Sequence, residues 1–225
     1  MIPWEFLDRA QVPGSGEELR LYKRGGEFSI RVDGRELMNS RAHGSEDAMA
    51  ELACARIAGR PRPRVLIGGL GIGYTTAAAL HRLGAEGQVV VAELVPAVVA
   101  WNRGPLADAA GRPLQDARVT VYEVDVAHIL QAEQRAYNAI LLDVDNGPAG
   151  LTRKRNDWLY TQAGLDAAYA ALRPAGVLAV WSASPDRAFS RRLCRVGFEV
   201  NEVRVRARGP DGGGRHIIWL AVRGS

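Results

Sequence analysis

The sequence predicts an α/β protein organised around a doubly wound parallel sheet. Three observations lead there. Short apolar runs at 65–67, 89–92, 119–122, 139–142 and 177–181 alternate with longer stretches whose apolar residues recur at helical spacing. The runs are almost continuously apolar, as strands are when helices cover both faces of the sheet. The first run opens into Gly68-Gly-Leu-Gly-Ile-Gly73, where missing side chains let the backbone turn sharply and lie against a ligand that a Cβ would strike.

Residues 1–45 read as a small N-terminal antiparallel β segment. Glu18-Leu-Arg-Leu-Tyr22 and Glu27-Phe-Ser-Ile-Arg-Val32 alternate across Gly25-Gly26, and Asp33-Gly34 is a hairpin turn. A helix is expected over 46–58, with Ala48, Met49, Leu52, Ala53 and Ile57 on its apolar face, ending at Gly59 and the prolines 61 and 63. Residues 46–225 form the α/β domain, with further helices at 73–83, 95–103, 126–135, 157–172 and 185–195. The chain closes with alternating strands, 198–206 and 216–222, across Gly209-Pro-Asp-Gly-Gly-Gly214. Strand–helix units closed by such a hairpin are the plan of the class I methyltransferase fold.

Composition narrows the function classes. A chain of 225 residues can bury a full core without staples. Cys54 and Cys194 have no metal-ligand spacing, and His43, His81, His128 and His216 show no ligand pattern, so no metal is expected. Met1 to Arg9 carries Glu5 and Asp8, and no long apolar run follows, which leads to the expectation of a cytoplasmic protein with no membrane partner. The net charge of +4 and a pI near 9.4 permit an acidic partner. Without a basic-aromatic motif they do not predict nucleic-acid binding, although Arg60, Arg62, Arg64, Arg153 and Arg155 keep an RNA-directed enzyme as an alternative.

Ligands of doubly wound sheets bind at the carboxyl ends of the strands. After the first strand come Gly69, Gly71 and Gly73, with Tyr74 and Thr76 beyond. Their G-x-G-x-G spacing departs from the G-x-G-x-x-G of dinucleotide sites and suits S-adenosylmethionine or a relative. After the second stands Glu93, placed to accept hydrogen bonds from both ribose hydroxyls. After the third, Asp125 can accept from the adenine amine, with Val126 against the ring; a helix N-cap is the plainer role. After the fourth come Asp143 and Asp145 in Asp143-Val-Asp-Asn-Gly-Pro148. Asp143 can hold an amine in line or take its proton, and Asp145 can steer a cationic acceptor; an ordinary polar turn is the alternative. Residues 146–156, with Arg153-Lys-Arg155, have the length of a substrate lid. Trp158, Tyr160 and Trp181 can wall an acceptor pocket or simply fill core.

From about Phe28 onward the chain resembles the spermidine synthases, aminopropyltransferases built on the methyltransferase fold. The resemblance rests on the N-terminal sheet, Ser45-Glu46-Asp-Ala-Met49, the glycine loop, Glu93 with Leu94, Asp125, and Tyr137-Asn-Ala-Ile-Leu-Leu-Asp143. It implies that Glu93 and Leu94 meet the ribose, that Asp125 binds the adenine amine, and that Asp143 is the acid–base residue beside the attacking amine. It also implies a homodimer. Three places depart from the family. Its loop G-G-G-D-G-G carries an acid for the free amine of decarboxylated S-adenosylmethionine, and Gly71 stands there here. Its Tyr-His-Glu is Gly44-Ser45-Glu46, and its Asp-Pro after the catalytic acid is Asp145-Asn146-Gly147-Pro148. The expectation is a transferase that binds S-adenosylmethionine or its decarboxylated form and alkylates a small nucleophile, an amine first of all. It would leave S-adenosylhomocysteine after methyl transfer, the favoured course, or 5′-methylthioadenosine after aminopropyl transfer to a polyamine. A non-catalytic nucleoside-binding protein is the remaining alternative.

Overall fold

The structure, a computed structural model, describes residues 2–144, 157–209 and 212–225. Strands β1 (Glu5–Gln11), β2 (Glu18–Arg24), β3 (Glu27–Val32) and β4 (Arg35–Asn39) form a four-stranded antiparallel meander in that order. Sequence periodicity did not reveal β1. Most of its side chains are exposed, only Leu7 and Ala10 pack inward, and a register irregularity between Phe6 and Asp8 breaks its alternation. The indole N–H of Trp101 donates to the Asp8 carboxylate at 2.8 Å and ties this strand to the main domain.

After α1 (Gly44–Arg56) the chain alternates through β5 (Arg64–Gly68), α2 (Tyr74–Arg82), β6 (Gln88–Ala92), α3 (Pro96–Arg103), β7 (Val119–Tyr122), α4 (Val126–Ala132) and β8 (Tyr137–Leu142). It continues through α5 (Asp157–Tyr160), α6 (Gln162–Ala171), β9 (Leu172–Ser182), α7 (Arg187–Val196), β10 (Phe198–Arg206) and β11 (Arg215–Arg223). The helix expected over 157–172 is two helices. Thr161 is extended and its hydroxyl accepts from the Gly164 N–H at 3.2 Å, so it ends one helix and caps the next. The expected strand at 177–181 is correspondingly longer, because the chain turns extended at Leu172.

These strands form a seven-stranded sheet of order β10-β11-β9-β8-β5-β6-β7. Strand β5 pairs in parallel with β6 on one side and β8 on the other, while β11 runs antiparallel to both β9 and β10. The chain winds outward from β5 through β6 to β7, then returns to the far side of β5 as β8. The crevice between those two directions is the topological switch point where such sheets bind ligands.

Both faces of the sheet are covered. Val65 and Ile67 point into one core layer and Leu66 into the other, which is why β5 reads as a continuous apolar run. The first layer also contains Leu19, Leu21, Phe28 and Ile30 from the N-terminal sheet, packed with Met49, Ala53 and Ile57 of α1. The meander therefore shares its core with the α/β domain. Leu21 has no exposed surface, so Leu21→Ala should cost about 2–5 kcal/mol. Unfolding in denaturant, followed by tryptophan fluorescence and far-ultraviolet dichroism together, should remain one transition. Two separated transitions would mean that the meander folds on its own.

Candidate active site

Three ladders continue past the ends of the strands. The Gly69 N–H donates to the Ala92 carbonyl at 2.9 Å, the Asp143 N–H to the Gly68 carbonyl at 2.9 Å, and the Glu93 N–H to the Tyr122 carbonyl at 3.0 Å. Backbone pairing thus sets Gly69, Glu93 and Asp143 around the switch point. Gly69 has φ of +91°, and a Cβ there would run into the Asp143 carbonyl oxygen. Gly71 has φ of +56°, and a Cβ there would come within 2.7 Å of the Met38 methyl group. From the other side Asn102, 2% exposed, donates from Nδ2 to the Gly71 carbonyl at 2.8 Å and to Val98 at 2.9 Å.

Glu93 is 7% exposed. One carboxylate oxygen accepts from the Leu70 N–H and the other from the Val95 N–H, both at 2.8 Å. A carboxylate oxygen can accept more than one hydrogen bond, so engagement with backbone does not by itself bar a ligand hydroxyl. Asp125 caps α4, accepting from the Ala127 N–H through Oδ1 at 2.9 Å. Glu93, Leu94, Asp125, Val126, Gly69, Gly71 and Asp143 line one pocket, which opens to solvent. Its roof comes from Leu19, Ile30, Leu37 and Met38 of the N-terminal sheet, which sequence reasoning did not assign to the site.

Asp143 stands at the deep end. Its Oδ2 accepts from the Thr75 hydroxyl at 2.6 Å. Burial raises its carboxyl to about 6, against the pull of that hydrogen bond. The hydroxyl beyond the glycine loop that reaches the site is thus Thr75. Thr76 is fully buried, and its hydroxyl makes no hydrogen bond among the described residues. A second raised carboxyl is that of Glu46, in the first turn of α1. Glu46 accepts from the Ser45 hydroxyl at 2.6 Å, and Ser45 in turn meets His216 Nδ1 at 3.0 Å. Burial and the neighbouring Asp143 charge push Glu46 up to about 8.

The remaining expectations fall elsewhere. Asp145 and the 146–156 segment lie outside the described residues. Tyr160 does not line the pocket. It is buried against Phe189, and its hydroxyl donates to the Val144 carbonyl at 3.2 Å, steadying the backbone beside Asp143. Trp158 is half-buried against the same core layer. Both follow core spacing, which periodicity alone does not separate from a pocket wall. Set against the family's loop, an acid would fall on Gly71, or on Ile72 if the glycines of the two loops are matched at 69, 71 and 73. Ile72 is 3% exposed and belongs to the core, so neither register places a carboxylate in the loop. Among the described residues, no three His, Cys, Asp or Glu side chains gather as a metal site, and no helix is long and apolar enough to cross a membrane.

No family model matches the sequence, and no curated protein matches it either. Among solved structures, the fold is that of the spermidine synthases. The enzyme from Thermotoga maritima superposes with a TM-score of 0.76 at 18% identity, over 97% of this chain and 73% of that one. A spermidine synthase in complex with the transition-state analogue AdoDATO gives 0.80 at 18% identity, over 97% and 74%. A probable spermidine synthase from Corynebacterium glutamicum gives 0.63 at 16%, over 97% and 79%.

The acid pair makes stability depend on pH in a direction that can be worked out. Glu46 rises from 4.5 to about 8 on folding and Asp143 from 3.8 to about 6. The folded chain therefore holds these protons more tightly than the unfolded one. Their contribution is complete below about pH 4 and is lost as pH rises through about 6 and then 8. The melting temperature of Glu46→Gln should gain on that of the native protein between about pH 5 and pH 9. Parallel melting curves across that range would refute the pairing.

Proposed function

We propose that the protein is a transferase that binds an S-adenosyl sulfonium compound across Gly69–Gly73 and alkylates a small amine. The supporting observation is the backbone pairing that brings Glu93 and Asp143 to opposite sides of the glycine loop around one pocket. Glu93 would receive the ribose hydroxyls while its other lone pairs keep Leu70 and Val95 in place. Asp125 would accept from the adenine amine through the oxygen not engaged in capping, with Leu94 and Val126 against the ring. A sulfonium supplies an activated alkyl group and its own leaving group. What the chain must add is alignment, exclusion of water and a place for one proton. Asp143 suits the last task because burial makes it basic enough to accept a proton near neutral pH.

Methyl transfer from S-adenosylmethionine is the first reading, since the loop carries no acid to select the free amine of the decarboxylated compound or to repel a carboxylate. Aminopropyl transfer is the second. In its favour, the likeness to spermidine synthases covers 97% of the chain and so takes in the N-terminal roof. Titration with S-adenosylmethionine, its decarboxylated form and 5′-methylthioadenosine in parallel separates the two, and the product mass with a diamine acceptor confirms the choice. If none of the three binds, the reading fails.

Glu93→Ala should weaken adenosyl binding about tenfold or more, because ribose hydroxyls lose their acceptors and the loop loses two anchors. Unchanged affinity would remove Glu93 from the site. Asp143→Asn keeps the volume and should leave adenosyl affinity nearly intact while lowering turnover about 10²–10⁴-fold. Near-normal turnover in that variant would end the proton-acceptor role.

A further inference from the structure

Strand β4 is not regular. Ile30 pairs with Met38 and Arg31 with Glu36, so Leu37 is an extra residue in the register. In an unbroken strand neighbouring side chains point to opposite faces. A bulge breaks that alternation and re-aims side chains, and here Leu37 and Met38 both line the pocket, beside Ile30 and Leu19 of the same sheet. Met38 lies over the loop itself. A carbon placed on Gly71 would stand 2.7 Å from its methyl group and 2.8 Å from its sulfur. The layer between loop and roof therefore has no room for a ligand atom while the thioether stays where it is. The backbone that carries Met38 is pinned just beyond it. The Ser40 N–H donates to the Phe28 carbonyl at 3.0 Å, and the Ser40 hydroxyl accepts from the Phe28 N–H at 2.9 Å. The Ser40 carbonyl accepts from the hydroxyl of Tyr74 at 3.2 Å, and Tyr74 opens α2 directly after the loop. Roof and loop are thus tied to each other, and the part free to move is the end of the unbranched Met38 side chain.

We infer that Met38 is a specificity-determining residue of the site, a side-chain gate that sorts adenosyl compounds by what their sulfur carries. The inference rests on the transferase reading, in which the ligand lies across Gly69–Gly73, and deepens it. A compound that ends in a methyl group at sulfur, such as 5′-methylthioadenosine, has nothing to lay over Gly71 and leaves Met38 in place. The amino-acid tail of S-adenosylhomocysteine continues over the loop and must turn the thioether aside. That turn costs part of the tail's binding energy, and β4, tied to β3 and to Tyr74, does not relieve it by retreating. The gate ranks ligands by their length and bulk beyond sulfur and is indifferent to the adenosine that all of them share.

Calorimetry of the full chain with 5′-methylthioadenosine and S-adenosylhomocysteine, in the native protein, Met38→Ala and Met38→Leu, tests this. Met38→Ala should bind S-adenosylhomocysteine about three- to tenfold more tightly than the native protein, the gain from removing a side chain that has to leave its preferred rotamer. Its affinity for 5′-methylthioadenosine should stay within about twofold of the native value. Met38→Leu keeps the bulk and should keep the native ranking. A second measurement needs no variant. With the methionine methyl carbons labelled, the Met38 resonance should move when S-adenosylhomocysteine is added and stay near its free position with 5′-methylthioadenosine. Met49, which has no exposed surface, serves as the internal reference. Equal changes in affinity for the two compounds in Met38→Ala, no gain for S-adenosylhomocysteine, or a Met38 resonance that does not respond to it would each overturn the inference. If neither compound binds any of the three proteins, the transferase reading falls and the inference falls with it.

Discussion

The carboxyl edge of the main sheet depends on the Glu93 carboxylate, which holds backbone N–H groups on both sides of itself, Leu70 in the glycine loop and Val95 at the entry to α3. Charge-assisted bonds to backbone are stronger than neutral ones, and this pair is buried. A loop of glycines would otherwise sample many conformations at a high entropic cost. Fastened at Leu70 by Glu93 and at the Gly71 carbonyl by Asn102, it keeps one shape. The residue that sequence assigns to the ligand thus also builds the surface on which a ligand would lie.

The four carboxyl groups of the site differ in what solvates them, and the difference sorts them chemically. Glu93 and Asp125 accept hydrogen bonds from backbone N–H groups. Asp143 accepts from the Thr75 hydroxyl, and Glu46 from the Ser45 hydroxyl and its own backbone, yet burial pushes both toward neutrality, helped at Glu46 by the Asp143 charge.

Much of this was legible in the chain. Doubly buried strands announce themselves as unbroken apolar runs, and Gly69, Glu93 and Asp143 each follow such a run directly, while Asp125 lies three residues beyond the half-exposed edge strand β7. Fold rules then place them together. What was not legible arrives through contacts distant in sequence. Met38 and Leu19 reach the pocket only because the meander folds over it as a roof, and β1 hides behind a register irregularity. Thr75 and Thr76 are equivalent as letters, and helical phase decides which one meets Asp143. Tyr160 has the spacing of a core residue and is one, although it also steadies the strand end beside the acid. Glu46 lies almost a hundred residues before Asp143, so its charge coupling to that group can be seen only in three dimensions.

Met38 gives the pocket a property of its own. Its flexible, polarisable thioether occupies the space above Gly71. Electrostatic selection at that point is felt at a distance and fades as salt is added. A soft apolar wall acts only on contact and yields to whatever volume presses on it. Any preference among ligand tails set at this wall would be steric, and the same in dilute buffer as in concentrated salt.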